Sequence, residues 1–284
     1  MRFDEPLSLH STFKIGGSAD VYAVPSGIND LEALLSAVRS HSVPYFILGG
    51  GANILFSDIG FSGIVIDMLS FNNVSVNGTS LLSGAGVPFS RLSEIARDNS
   101  LSGLEFFYGM PGTAGGSIYM NARCYGSSVS DILSRVTYID SKGSVGEYKT
   151  SQKDFGYKIS PFQDKGFIIT AAEFQLEKGS MDNLSEKMSG FKNERVEKGH
   201  YLYPCAGSVF KNNREFGQPS GKIIDSLGLR SYSIGGAMIS PLHANIIVNK
   251  GNASSNDVRE LISFVEDKVY KTYGFKLEKE IIFI

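Results

Sequence analysis

The chain has 284 residues, 42% of them hydrophobic, and its 27 basic and 29 acidic side chains leave a net charge of -2. That is enough chain for one large domain or two ordinary ones, and a near-neutral balance without a basic run excludes nucleic acid as the main partner. Two distant cysteines, no run of the roughly 18 apolar residues that a membrane span needs, and an acid-bearing N-terminus without an apolar signal core predict a cytoplasmic, reduced, membrane-free protein.

The first element predicted along the chain is a helix capped by Asn29, with Leu31, Leu34, Leu35 and Val38 at i, i+3, i+4 and i+7. Strand-like Tyr45–Leu48 then runs into Gly49, Gly50, Gly51, Ala52 and Asn53. Three consecutive glycines weaken any regular element, because each loses more backbone freedom on folding than another residue. A P-loop sequence is absent, and the dinucleotide fingerprint G-x-G-x-x-G fails at Ile54. Successive backbone N–H groups still make an anion-binding concavity, to which the Asn53 amide adds a donor. Gly63–Met68 reads as a strand, Val74–Val76 and Ser80–Ser83 as two more around a turn at Asn77-Gly78, and Pro88 opens a second helix. A second loop comes next, in which Gly109, Gly112, Gly115 and Gly116 surround Pro111 and Thr113. Proline stiffens such a loop, glycines let a flat or phosphorylated ligand approach, and Thr113 and Ser117 supply hydroxyls. A hairpin (Arg135–Asp140, Val145–Lys149) and an apolar strand (Gly166–Leu176) complete this half. Both glycine stretches also fit tight turns in a β-rich domain, but each comes after an apolar strand-like run, which favours ligand binding.

Composition turns charged over Glu177–His200, which predicts a partly helical link and a boundary that separates residues 1–178 from 179–284. The second part carries a clear helix, Asn256–Tyr273, with Val258, Leu261, Ile262, Val265 and Val269 on one face, Ser255 as N-cap and Gly274 just past its end. The closing residues 275–284 read as a strand in which Glu278, Glu280, Ile282 and Ile284 share a face. A carboxylate beside apolar neighbours singles out Glu280. Ser208 is no nucleophile elbow, since Ala206 and Phe210 break G-x-S-x-G. Lys211 and Asn212 beside it suit substrate binding. No Cys/His cluster has metal spacing, so no metal is predicted. The fold class is α+β with many short strands.

Seven collinear blocks, "STFKIGGSADVY", "LGGGANILFSDIGFSGIVI", "GAGVPFSRL", "LEFFYGMPGTAGGSIYMNARCYG", "CAGSVFKN", "HANIIVNKGNASSNDV" and "LEKEI", resemble the UDP-N-acetylenolpyruvoylglucosamine reductase family from about Ser11 to the C-terminus. The resemblance implies an FAD-binding fold of the vanillyl-alcohol-oxidase (PCMH) type in two subdomains over 1–178. A smaller α+β substrate-binding domain occupies 179–284. It implies that Gly49–Asn53 holds the FAD pyrophosphate and that Gly109–Ser117 lies along the rest of the flavin nucleotide. Arg195 matches an arginine near the cofactor, although the Gln-Pro that commonly succeeds it is Gly199-His200 here. The implied reaction is the NADPH-driven reduction of the enolpyruvyl ether of a UDP-sugar to a lactyl ether, in peptidoglycan precursor synthesis, by a monomer.

Hydride addition leaves negative charge beside the substrate carboxylate, so the site needs a cation or donor there and an acid for the carbon. The family's acid matches Ser208, its glutamate matches Glu280, and Lys158 stands where a "Y-R-x-S" block has arginine. Lysine keeps the charge but lacks the bidentate fork. Asn212 and His243 match residues that border the substrate. Arg123 departs from the family's usual small residue. The short connection from Gly166 to Ser208 fits the form of the family without an inserted tyrosine loop. Two alternatives stay open at this point. One is another flavin oxidoreductase of the same fold, such as an alcohol or hydroxy-acid oxidase with Cys124 near its cofactor loop. The other is a non-catalytic nucleotide-sugar-binding protein.

Overall fold

The computed structural model describes residues 1–284, and its contacts divide the chain into two compact units. The first comprises Met1–Arg2, Val21–Gly50 and Gly63–Asn193; the second comprises Phe3–Asp20, Gly51–Ser62 and Glu194–Ile284. The units are interleaved along the sequence, whereas a single boundary at 178/179 tracks the change in composition. Packing gives the reason. Phe13, Ile15 and Leu55 are buried in one cluster with Ile223, Ile247, Leu261 and Val265, so two early segments complete a core built mainly from late residues.

In the first unit, helix α1 (Ile28–Ser40) buries Leu31, Leu35 and Val38 as its periodicity requires. Its N-cap is Gly27 and not Asn29, because the Asp30 carboxylate reaches back to the Ser26 N–H and hydroxyl and fixes the start earlier. Tyr45–Leu48 pairs in parallel with residues 64–67. A five-stranded antiparallel sheet runs in the order Val145–Lys149, Leu133–Ile139, Ile168–Gln175, Ser80–Gly84, Val74–Asn77. Helices α2 (Phe89–Asp98) and α3 (Ala114–Tyr119) pack Phe89, Leu92, Ala114 and Ile118 on Leu81, Val136, Ala172 and Phe174. Helix α4 (Met181–Glu197) occupies the charged stretch as predicted.

The second unit holds a sheet ordered Cys205–Ser208, Ile246–Asn249, Ala237–Ile239, Ser233–Ile234, together with α5 (Ser220–Ser226) and α6 (Ser255–Tyr273). The predicted face of α6 is buried throughout, each such side chain contributing ~1.5–3 kcal/mol over exposure. Its N-cap is Ser254 rather than Ser255. Ser254 Oγ accepts the Asp257 N–H while the Asp257 carboxylate accepts the Ser254 N–H, a reciprocal capping box. Asp58 accepts the next two amides, Ser255 at 2.8 Å and Asn256 at 3.2 Å, and places a second carboxylate at the positive end of the helix dipole. Gly274 ends α6 with φ 79, a left-handed turn that favours glycine. The terminal strand is shorter than predicted: only Ile282–Phe283 is strand, parallel to Ile54–Leu55.

Candidate active site

In the first unit the two glycine loops pack backbone against backbone. A Cβ added to Gly50 would lie 2.9 Å from the Gly112 Cα, and one on Gly49 would lie 2.6 Å from Thr113 Oγ1. The second loop is fixed from the other side. Phe89 N–H donates to the Gly112 carbonyl at 3.0 Å, and the amides of Ala114 and Gly115 donate to Val87 and Ala85. Gly115 has no room for a side chain either, with the Ala85 Cβ 2.9 Å from where its own would stand. Gly109 is tied to the Ser90 hydroxyl, Pro111 and Gly116 are exposed, and Ser117 is buried within α3. Thr113 Oγ1 is buried with no hydrogen-bond partner. A hydroxyl in that condition costs free energy unless something bonds it.

The loop that carries Lys158 hangs from the end of α3. Tyr157-Lys158 forms a tight turn closed by Gly156 N–H to Ile159 O at 3.1 Å and Ile159 N–H to Gly156 O at 3.2 Å, with Lys158 at φ 61. Asn121 Nδ2 donates to the Gly156 carbonyl, and Ser160 and Gln163 both donate to the Tyr119 carbonyl. The same short helix therefore sets both the second glycine loop and the Lys158 turn. Arg123 is exposed on a short strand, and the Cys124 thiol donates to the Phe106 carbonyl.

In the second unit, Ser208 and Glu280 come together on paired segments. Gly207 sits at φ 73, and the ladder to Ile246–Asn249 shifts register between Cys205 and Ser208. Such a bulge bends the strand and re-aims the next side chain, here the half-buried Ser208. Beyond it, Glu280 N–H donates to the Val209 carbonyl at 2.8 Å and Lys211 N–H to the Glu278 carbonyl at 2.8 Å. Thr12 Oγ1 holds the Cys205 carbonyl at 2.7 Å, and Gly51 leaves the space of its missing side chain to the His10 carbonyl, 2.1 Å from an added Cβ. Asn53, expected as an anion donor, instead gives one amide hydrogen to the Glu280 carbonyl at 3.0 Å, and its own carbonyl accepts the Ile282 N–H. It fastens a strand edge.

The remaining expected residues are engaged locally. Lys211 Nζ pairs with the exposed Glu278 carboxylate, and Asn212 Oδ1 accepts the Ser220 N–H at 2.9 Å at the start of α5. Arg195 is buried in the last turn of α4, and its carbonyl accepts the His200 N–H. The His200 and His243 rings lie 5.8 Å apart. His243 Nδ1 accepts the Asn245 N–H at 3.3 Å, which places its proton on Nε2. Burial, then the Lys198 charge, holds His243 below the ordinary histidine range, and burial, then Arg195, pushes His200 down to about 4. Above pH 6.5 His200 is neutral in folded and unfolded chains alike; below it the unfolded chain gains a proton that the folded chain refuses. Stability is therefore expected to decline as pH falls from 6.5 toward about 4. His200→Gln should flatten that part of a plot of Tm against pH, and identical slopes for variant and parent would show that His200 has no part in the decline.

Asn245, Asn121 and Thr12, which fix the segments carrying Ser208 and Lys158, were not singled out by sequence. Each acts on backbone 35 to 193 positions away, and nothing in its own neighbourhood announces it.

Residues 198–284 match the family model described as UDP-N-acetylenolpyruvoylglucosamine reductase, C-terminal domain, and residues 19–148 match that of the FAD binding domain. The UDP-N-acetylenolpyruvoylglucosamine reductase of Borreliella burgdorferi is 43% identical over 281 residues, covering 98% of this chain and 92% of its own. The protein of the same name from Caldanaerobacter subterraneus is 40% identical over 278 residues, covering 98% and 91%. Among solved structures, UDP-N-acetylenolpyruvylglucosamine reductase (MurB) from Thermus caldophilus matches with a TM-score of 0.82 at 30% identity, covering 98% of this chain and 97% of that one.

Proposed function

This chain belongs to the UDP-N-acetylenolpyruvoylglucosamine reductase family, and on that premise we propose that it is an FAD-dependent reductase using NADPH. It converts UDP-N-acetylglucosamine-enolpyruvate to UDP-N-acetylmuramate for peptidoglycan precursor synthesis. It works as a monomer in the cytoplasm; no helix is long and apolar enough to cross a membrane.

The residues present fit FAD. The buried, unbonded Thr113 hydroxyl and the Gly49, Gly50 and Gly112 backbones, packed too closely for side chains, suit a phosphorylated nucleotide. Gly51, Ala52 and Asn53 continue the same loop, and Gly109, Pro111, Gly115, Gly116, Ser117 and Arg195 are assigned to the rest of the cofactor. The chemistry that bound FAD supplies is hydride transfer, from NADPH to the terminal carbon of the substrate double bond.

The chain's own task is to manage the charge and proton that remain. Negative charge develops at the carbon beside the substrate carboxylate. Lys158 is assigned to that carboxylate, as a point charge on a turn anchored at both ends to residues 119–121. Ser208 donates the proton to the carbon, and Glu280, bonded through its backbone N–H to the Val209 carbonyl, is assigned the supporting carboxyl. Lys211, Asn212 and His243 border the substrate. Lys211 engages it only by leaving Glu278, and Asn212 contributes chiefly by shaping the loop it caps. The observation that carries the reading is the pairing of the Ser208 strand with the Glu280 segment, because it unites the two groups that proton delivery requires.

The test separates the two half-reactions. FAD-loaded protein should bleach with NADPH under anaerobic conditions and regain its colour on adding the enolpyruvyl substrate. Bleaching by an alcohol, with yellow colour retained in an acid pellet, would favour an oxidase; substrate binding without bleaching would favour a binding protein. Lys158→Ala should slow recolouring by about 10²–10³-fold and spare bleaching. Equal damage to both steps would move Lys158 to a cofactor or folding role. Lys158→Arg should stay active.

A further inference from the structure

We infer that Asn245 is the positioning residue that holds Ser208 and Glu280 in register, acting through the backbone of Val209 and Phe210; the inference rests on the roles proposed above for Ser208 and Glu280. Past Ser208, its last paired residue, the strand Cys205–Ser208 leaves its ladder with Ile246–Asn249, and residues 209–211 keep sheet pairing on one edge alone, through the bridge of Phe210 with Lys279. Asn245, the residue just before that partner strand, takes over. Its carbonyl accepts the Val209 N–H at 2.8 Å. Its side-chain Oδ1 accepts the Phe210 N–H at 3.0 Å, and its Nδ2 donates to the Phe210 carbonyl at 2.8 Å. A side-chain amide here imitates a strand neighbour, meeting both polar groups of one peptide residue at once.

The opposite edge of the same three residues is held by Glu280 N–H on the Val209 carbonyl and by Lys211 N–H on the Glu278 carbonyl. Residues 209–211 are thus pinned on both sides, with Ser208 at one end and Glu280 across from Val209. Asn245 is 4% exposed, so its amide has no water to fall back on, and its own N–H is held by His243 Nδ1. No other side chain bonds both polar groups of Phe210, which is itself buried at 2% exposure and anchors the segment in the core.

The conservative variant is Asn245→Asp. It keeps an acceptor for the Phe210 N–H and sets an oxygen against the Phe210 carbonyl. Misplacement of a reacting group by about 1 Å costs on the order of 10²-fold in rate. Recolouring of the flavin by the enolpyruvyl substrate should therefore slow by about 10–10²-fold per loaded flavin. Bleaching by NADPH and the substrate concentration at half-saturation should stay within a few-fold. The solvent deuterium isotope effect on recolouring should rise, because proton delivery becomes more limiting. A merely structural asparagine would lower Tm and leave that isotope effect alone.

Recolouring within two-fold of the parent, or equal slowing of both half-reactions, overturns the inference. Ser208→Ala run alongside separates the two levels: loss there without loss in Asn245→Asp rejects only this inference, whereas no loss in either rejects the proton donor itself. Hydrogen exchange on the unaltered protein gives a second arm that needs no variant to fold. The amides of Val209, Phe210 and Glu280 should open together as one protected unit, and independent fast exchange at Phe210 overturns the proposal.

Discussion

Ser208→Ala is expected to yield a folded, FAD-loaded protein that NADPH bleaches normally and that recovers its colour with substrate ~10²–10⁴-fold more slowly, or beyond that range. The magnitude reflects the group that is removed. General-acid catalysis at a well-placed group contributes on that scale, and Ser208 is placed by more than its own strand. Gly207 at φ 73 turns the chain, Thr12 holds the Cys205 carbonyl, and Asn245 with Glu280 fixes Val209. A serine hydroxyl is a weak acid, so the alkoxide it leaves needs donors or positive charge nearby. Lys211, two residues past Val209, is occupied by Glu278, which leaves this role within the second unit to backbone N–H groups. Ser208→Cys should recover part of the rate, because a thiol also donates a proton and is the stronger acid. Turnover of Ser208→Ala within a few-fold of the parent would make the residue a turn element and send the search for the acid to Glu280 or a bound water.

Gly50→Val is expected to abolish most activity by a different route, through loss of FAD. The new Cβ would stand 2.9 Å from the Gly112 Cα and 3.3 Å from its carbonyl carbon, and neither backbone atom can rotate away as a side-chain tip would. The branched methyls add to the clash, so the two glycine loops must separate. Overpacking of this kind costs about 1–3 kcal/mol, which corresponds to a ~10–10²-fold weaker cofactor if the strain falls on the bound geometry. Flavin content after dialysis should drop while the circular dichroism spectrum and the second unit's melting stay close to the parent. Gly190→Ala, with open space around its added methyl on α4, is the matched control and should retain FAD. Normal flavin content in Gly50→Val would reject the cofactor assignment of this loop.

The parts legible in the sequence were those governed by local periodicity or local turn chemistry. The hairpin after Val74–Val76, the apolar face of α6, the Pro88 start of α2 and both glycine loops depend on neighbours a few residues apart and are found as the residues predict, except that the hairpin turns at Gly78-Thr79, one residue later than Asn77-Gly78. Prediction weakened where a distant partner decides. Alternation over residues 275–284 suggested a long strand, but Ile54–Leu55 offers only two residues to pair with, and residues 278–280 bond residues 209–211 instead. Asn53 has the composition of a phosphate ligand, yet its side chain is also a hydrogen-bond donor to a carbonyl 227 positions away. Helix α6 begins one residue early because Ser254 and Asp257 form a reciprocal pair that the apolar pattern does not encode. Of the candidate site, the groups proposed to react stood out in the sequence as types of residue in characteristic blocks. The amides that hold them were not, since an asparagine that imitates a β-strand looks like any other asparagine until its strand is known.

The interleaving of the two units sets the order in which the protein can assemble as it leaves the ribosome. Residues 21–50 and 63–193 provide nearly all of the first unit, so that unit has its full set of partners while the chain is still being made. Phe13, Ile15 and Leu55 emerge early, but the residues that bury them begin at Ala206 and end at Ile281. Ile54–Leu55 waits longest, for Ile282–Phe283 to arrive. At ~5–20 residues per second that wait is roughly 10–50 s. Throughout it the nascent chain displays a short apolar strand with no mate, which is the kind of surface that chaperones cover and that competing nascent chains can capture.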